Sequence, residues 1–433
     1  MGKLDRMHSV AAGSSDQDAR SAAEIDRDRI IYTSALARLA QVTQVVSPSE
    51  GHVFHNRLTH TIEVAQVARR LAQRLAKAHA ETVDKHGGLD PDITEACALA
   101  HDLGHPPFGH LAEQELDRLV RAHGVEDGFE GNAQSFRIIT RLAAHRQKYD
   151  GLNLTRATLN GLLKYPWLRA DPGTRKKGKF GAYDADQAAF DFARDGSLPF
   201  EQSLEASVMD HADAVAYSVH DLVDFYRAGL IPLELFDDPA AFDEEVKIFR
   251  VDGTLPENQV DAAFTSIRSL MSLLPLGVRF GGSFRERAHV RTCSSGLISK
   301  FLADVSIEEQ GGVPRLVVPP NILVQMKFLQ NLVWRHVITT PKLATQQWGQ
   351  RRIVATLFEA YLESIERATD DRNIVPQPFQ TVLAQLRSSR EGNLAGRRVR
   401  LAADIVATLT EDQASFVFRR LTGAANGAIT DLY

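Results

Sequence analysis

The stretch NRLTHTIEVAQVARRLAQRLAKAHA, residues 56–80, is amphipathic along its whole length and rich in Ala, Leu and Arg, all good helix formers. Such a helix needs other helices to cover its apolar face. The same three-and-four spacing predicts helices at 24–46, 109–123, 131–146, 154–164, 201–229, 257–274, 321–338, 348–367 and 399–422. The first breaks at SPSEG (47–51). Asp90 and Pro91 form an N-cap and first-turn pair for one more helix, which Gly104 and Pro106 end. Strand signals are sparse; VPRLVVPPNI (313–322), after Gly311 and Gly312, is the candidate strand or hairpin. Residues 165–187 read as a long loop of the kind that often carries function. The expected class is mainly α: one compact helical domain with a C-terminal helical extension and at most a small β-hairpin.

A chain of 433 residues can bury one large core or two moderate ones, and 44% apolar with 24% charged residues is ordinary for a globular protein. No apolar run reaches the roughly 18 residues of a membrane span. The N-terminal stretch lacks the apolar centre of a secretion signal, so residues 1–23 read as a flexible tail. Cys97 and Cys293 are the only cysteines, which argues against a disulfide framework and fits a reducing cytoplasm. The net charge of -5 argues against a generally basic nucleic-acid binder. The basic runs RKKGK (175–179) and RRVR (397–400) read as solvated loops or helix faces that could meet an anion locally.

The stretch ALAHDLGHPPFGH (98–110) gathers three histidines and an aspartate where a helix stops. Borderline metals such as Mn²⁺ and Fe²⁺ accept mixed imidazole and carboxylate ligands. Adjacent helical side chains diverge by about 100°, so an ion shared by His101 and Asp102 must lie at the helix edge. Termination at Gly104 gives that room. Two ligands are too few for a tight site. Upstream, His60 is in register with Val64, Val67 and Leu71, as a satisfied core histidine or as a ligand. Downstream, Asp213 sits between Met209 and Ala216, where a buried carboxylate is costly unless paired or bound to a cation. His110 and Glu113 lie three apart, either as a first-turn helix pair or as an imidazole whose tautomer and basicity a carboxylate sets.

The ordered set of His, His-Asp and Asp resembles the HD-domain phosphohydrolases, a helical superfamily. The surrounding words are similar to one branch, the deoxyguanosinetriphosphate triphosphohydrolases and their dNTPase relatives: ARLAQVTQV (37–45), HNRLTHTIEVAQVAR (55–69), HDLGHPPFGHLAE (101–113), FEGNAQSFRI (129–138), LLKYPW (162–167) and DHADAVAYSVHDLVD (210–224). LVWRHVI (332–338), QRRIVATLFEAYL (350–362) and RLAADIVATLT (400–410) extend the likeness nearly to the C-terminus.

The resemblance implies an HD-domain catalytic core over 24–230 and a C-terminal helical region over 231–433 packed on it. It makes His60, His101, Asp102 and Asp213 the ligands of one divalent metal ion, Mn or Mg foremost, with Fe, Co or Ni as alternatives. It gives His110 proton transfer or activation of the attacking water, oriented by Glu113. Arg57, Lys164, Tyr165 and His105 would meet phosphates, and Gln44, Tyr217 and Asp221 the sugar. Glu130 and Asn132 are expected behind them or as a helix cap. Many relatives carry histidine where this chain has Gly131, so any phosphate contact from that residue is missing here.

The implied reaction is metal-dependent hydrolysis of 2′-deoxynucleoside triphosphates, dGTP foremost, to deoxynucleoside and inorganic tripolyphosphate. No Walker-type loop is visible, in keeping with a metal-centred phosphate site. The alternatives are another HD-domain nucleotide phosphohydrolase or phosphodiesterase, or a nucleotide- or single-stranded-DNA-binding regulator with weak turnover. Family analogy further suggests a homo-oligomer, a hexamer by that analogy, and a nucleotide or single-stranded DNA effector. Arg285, Arg287 and Arg291 could meet such an effector or a neighbouring subunit. No membrane is expected.

Overall fold

The computed structural model describes residues 2–9, 19–44, 56–171, 178–251, 260–367, 373–389 and 392–424. The SPSEG break and most of the RKKGK run lie outside them. In chain order the first helices are α1 (Ala22–Ile31), α2 (Ser34–Arg38), α3 (Arg57–Ala78), α4 (Ala80–Lys85), α5 (Pro91–Ala100) and α6 (His110–Ala122). Next come α7 (Gly131–Arg137), α8 (Arg156–Leu162), α9 (Gln187–Arg194), α10 (Leu204–Arg227), α11 (Pro239–Val251), α12 (Val260–Met271) and α13 (Phe284–Ala303). A hairpin of β1 (Ser306–Gln310) and β2 (Val313–Val317) precedes α14 (Pro320–Val333), α15 (Pro341–Glu366), α16 (Gln377–Ser388), α17 (Leu394–Thr408) and α18 (Glu411–Leu421). The class is mainly α, and the hairpin is the one sheet among the described residues.

Three apolar cores organise these helices. In the first, α3 and α10 pack against α5, with Val64, Ala68, Ala96, Leu99, Met209 and Ala212 buried between them. In the second, α10 continues against α13 and α14, and α14 against α12, with Phe225, Leu270 and Phe328 buried in one cluster. In the third, Leu116 of α6 meets Phe358 of α15 and Val406 of α17. α5 therefore packs against both of the long helices that carry His60 and Asp213, which also meet each other directly. No helix among the described residues is long and apolar enough to cross a membrane.

Asp90 caps α5 by accepting from the Asp92 amide at 2.8 Å, with Pro91 in the first turn, as the sequence predicts. Several elements differ from their periodicity. The run 24–46 bends after Ile31, because the Thr33 hydroxyl accepts from the Leu36 amide and starts a new helix. The run 399–422 splits at Thr410, which forms a capping box with Gln413. Residues 131–146 are α-helical only to Arg137, then widen into a π turn at 138–142. Strand β2 stops at Val317 because Pro320 opens α14; Gly311 and Gly312, both with positive φ, make the hairpin turn. Helices α4, α9, α11, α13 and α16 are not predicted by the spacing.

Part of the expected flexible tail is held in place. Arg6 donates to the buried Asp26 and to the Asn153 carbonyl, and His8 stacks on Tyr149 at 4.9 Å. Asp26 also accepts from the Thr155 amide and from the hydroxyls of Thr155 and Thr158.

The turn after α5 is set by a backbone approach. A Cβ on Gly104 would lie 2.2 Å from the Ser135 nitrogen and 2.3 Å from the Gly131 carbonyl oxygen. The Ser135 hydroxyl accepts from the Gly104 amide at 2.9 Å and donates to the His101 carbonyl at 2.7 Å. Phe108 and Gly109 then take left-handed φ of 69° and 61° and turn the chain into α6. The Glu411 carboxylate accepts from the Phe108 amide at 3.0 Å and from the Thr43 amide at 2.7 Å. Gly104→Ala should therefore cost about 1–3 kcal/mol or more, because backbone rather than a flexible side chain must move. Urea unfolding would read this; a variant as stable as the parent would show that the turn is not packed against α7.

Candidate active site

His60 on α3, His101 at the end of α5, Asp102 in the following turn and Asp213 on α10 converge on the wall of a cavity of about 1010 Å³. His60 Nε2 lies 3.1 Å from Asp213 Oδ1. His101 Nε2 lies 3.3 Å from Asp102 Oδ1 and 3.7 Å from Asp213 Oδ1. The donor atoms of His60, His101 and Asp102 all fall within 4.8 Å of one another. The His101 Nδ1–H donates to the Ala98 carbonyl at 2.6 Å, which turns Nε2 to the centre. That Nε2 is buried without a well-formed hydrogen bond. Two imidazoles and two carboxylates around such an atom form a donor set that fits a divalent cation.

Two permanent cations stand against the carboxylates. Arg57 donates to Asp102 Oδ2 at 2.7 Å and to the Thr43 carbonyl at 3.2 Å. Lys164 lies 2.7 Å from both Asp213 Oδ2 and Asp210 Oδ1. Burial alone would raise the Asp102 carboxyl, but His101, Arg57 and His105 hold it well below the usual carboxylate range. Asp213 is held low in the same way, chiefly by Lys164. Burial would lower His101, yet Asp102 and Asp213 outweigh it and raise the imidazole to about 9 in the metal-free protein. His105 goes the other way. Burial, with Arg57 nearby, lowers it to about 4, so it is a neutral hydrogen-bonding group at pH 7.

A second group lies beside the first. His110 Nδ1 is 2.8 Å from Glu113 Oε2; the imidazole is 66% exposed and the carboxylate 8%. The His105 ring meets His110 edge-on at 5.2 Å between centroids. Lys179 Nζ joins Glu113 Oε1 at 2.7 Å to Glu130 Oε1 at 2.8 Å. Glu130 caps α7, accepting from the amides of Asn132 and Ala133. At Gly131 a Cβ would stand 3.2 Å from the His105 ring, so His105 lies directly over this position.

Gln44, Arg57, His105, His110, Lys164, Tyr165 and Tyr217 all line the cavity, as does Asn132. Glu113 stands behind His110. Asp221, two turns beyond Asp213, is buried and is not among the lining residues; with burial and Asp213 it pushes the Tyr217 phenol up. Arg285, Arg287 and Arg291 are exposed on α13, away from the cavity lining. Sequence reasoning missed Asp210 and Lys179, together with a far wall from α14 and α15 that includes Gln330, Trp334, Gln347 and Arg351. Asp210 could have been found from its place three residues before Asp213. The far wall carries no local signal.

Comparison with known proteins shows the family. The HD domain matches residues 57–218, and the phosphohydrolase-associated domain matches residues 316–420. A deoxyguanosinetriphosphate triphosphohydrolase-like protein of Streptomyces coelicolor is 38% identical over 426 residues, covering 93% of each chain. Proteins of the same description from Corynebacterium efficiens and Wolinella succinogenes are 33% and 31% identical over 94% and 93% of this chain, and over 93% and 96% of their own. The chain belongs to the deoxyguanosinetriphosphate triphosphohydrolase-like family of HD-domain phosphohydrolases.

Proposed function

We propose that the protein hydrolyses 2′-deoxynucleoside triphosphates, dGTP foremost, to the deoxynucleoside and inorganic tripolyphosphate. The observation that carries this reading is the convergence of His60, His101, Asp102 and Asp213 with Arg57 and Lys164 in one cavity, the His110–Glu113 pair beside them. His60, His101, Asp102 and Asp213 would hold one divalent ion, Mn or Mg foremost. When bound, that ion polarises the α-phosphate oxygens.

The chain's own groups do the rest. Water attacks the α-phosphorus, the bond from phosphorus to the 5′-oxygen breaks, and a proton passes from the water to the leaving oxygen. His110 carries that proton through Nε2, because Nδ1 is engaged by Glu113. Arg57 and Lys164 offset the phosphate charge, Tyr165 donates a hydrogen bond, and neutral His105, its Nδ1 turned to Asp102 at 3.1 Å, lies beside them. Tyr217 and Gln44 face the sugar. Self-association, as a hexamer, and activation by a second nucleotide or single-stranded DNA are carried over from the family resemblance.

Incubation with each dNTP and Mn²⁺ or Mg²⁺, with products read by phosphorus NMR, tests the reaction. Tripolyphosphate is expected; orthophosphate or pyrophosphate would overturn it in favour of another HD-domain phosphohydrolase. Asp102→Ala should lose bound metal and activity together while keeping its helical circular dichroism. Stoichiometric metal in that variant would remove Asp102 from the ligand set. His110→Ala should lower kcat by roughly 10²–10⁴ with metal content and KM little changed. A raised KM with kcat intact would make His110 a binding residue.

Metal uptake should also depend on pH. His101 holds its proton in the metal-free protein up to about pH 9, and the ion must displace it. Below that value one displaced proton makes affinity rise about tenfold per pH unit. Metal titrations at pH 6, 7 and 8 would show this rise. A flat affinity would mean that His101 is not a ligand.

A further inference from the structure

Lys179 belongs to a basic run that reads as a solvated loop, yet its side chain is only 26% exposed and lies over two buried carboxylates. Its backbone is fixed: the Trp167 indole donates to the Lys179 carbonyl at 2.6 Å, and the next residue, Phe180, is fully buried against Tyr183. The side chain therefore starts from an anchored position.

The oxygens it joins are otherwise committed. Glu113 Oε2 meets His110 Nδ1, and Oε1 accepts from the Gly131 amide at 3.3 Å. Glu130 Oε2 is used in capping α7, and Oε1 accepts from the Asn132 side-chain amide at 2.9 Å. Among the described residues, His105, His110, Glu130 and Lys179 are the titratable groups facing Glu113. The donor atoms of His105, His110 and Glu113 also lie within 4.8 Å of one another, an arrangement that could itself take a cation. The Lys179 ammonium supplies positive charge there without a metal and leaves His110 free to move protons.

The geometry assigns Lys179 as a positioning residue: it clamps Glu113 to Glu130, so that Glu113 holds the His110 imidazole in one tautomer and one orientation. The role rests on the reading of His110 as the proton-transfer group. Two buried carboxylates sharing one ammonium have their proton affinities pushed apart. Burial would raise Glu113, but His110 and Lys179 hold it well below its ordinary range; burial and the Glu113 charge push Glu130 up. Without the ammonium the pair retains a proton to higher pH, on Glu130, and Glu113 Oε1 keeps only the Gly131 amide, so the carboxylate is no longer held against His110. A carboxyl with a raised pKa is protonated in acid and recovers its charge as pH rises, so the damage is greatest at low pH.

The test uses the full-length protein with Lys179→Met and Lys179→Arg, assayed with dGTP and Mn²⁺ from pH 6 to 9. Lys179→Met should lower kcat about 10–100-fold at pH 7, with KM and bound metal within about twofold of the parent. The deficit should shrink as pH rises, and Lys179→Arg should restore most of the rate and the profile. Nitrogen-15 histidine spectra of the metal-free protein, with His110 assigned by His110→Gln, give a readout independent of turnover. The parent should show one His110 tautomer carrying its proton on Nδ1, and Lys179→Met a mixture. A pH-independent loss, a raised KM with kcat intact, or an unchanged tautomer would overturn the assignment. If the parent released no tripolyphosphate, the reaction reading would fail, while the tautomer measurement would still decide the role of Lys179.

Discussion

Two carboxylates withdrawn from water, the buried Asp102 and the half-buried Asp213, set the terms for the structure around them. An isolated buried carboxylate would take up a proton rather than keep its charge. Arg57 and Lys164 prevent that here, each at 2.7 Å. Counting Asp210, three negative charges face two permanent positive ones, and the proton on His101 supplies the third. The site is thus balanced by its own groups, and on the proposed reading a divalent ion would enter by replacing a proton. The ion pairs are weak evidence for stability, because desolvation cancels much of their attraction; their clear effect is to fix where the carboxylate oxygens point.

The C-terminal region holds the turn that carries this chemistry. Glu411, at the start of α18, binds the amides of Thr43 and Phe108 and so ties the segment before α3 to the turn before α6. Asp404 on α17 accepts from Gln134 and Arg137 of α7, and Arg137 also reaches Asp186. Arg400 pairs with Asp127 and lies 3.6 Å over the Tyr183 ring. The RRVR run is thus not a uniformly solvated face; its last arginine is an internal strut. Through these contacts α17 and α18 brace Glu130 and His105, although neither helix supplies a residue to the cavity lining.

Features written within one helix were legible in the sequence. The register of His60 with Val64, Val67 and Leu71 places it on the buried face, the Asp90–Pro91 cap starts α5, and His110 lies three residues before Glu113. Each follows from a local period or a local cap. The breaks at Thr33 and Thr410 were harder to see, because the apolar period continues through both while the capping hydroxyls redirect the chain. The pairs Lys179–Glu113, Arg400–Asp127 and Gln134–Asp404 join residues 66, 273 and 270 positions apart, and no local pattern records them. The left-handed Phe108 was likewise hidden, since its conformation depends on the glutamate that holds its amide.

Four histidines share this cavity, and their surroundings divide the work among them. His60 and His101 are buried beside carboxylates, with the Nε2 of each facing the shared centre. His105 is buried beside Arg57, which leaves it neutral, with its Nδ1 turned to Asp102. His110 alone of the four is mostly exposed, and it leans on a carboxylate that an ammonium meets from the other side. An imidazole that must exchange protons with substrate and water needs solvent access on one nitrogen and a fixed partner on the other. His110 has both, and the groups that fix its partner come from the loop and the helix cap behind it.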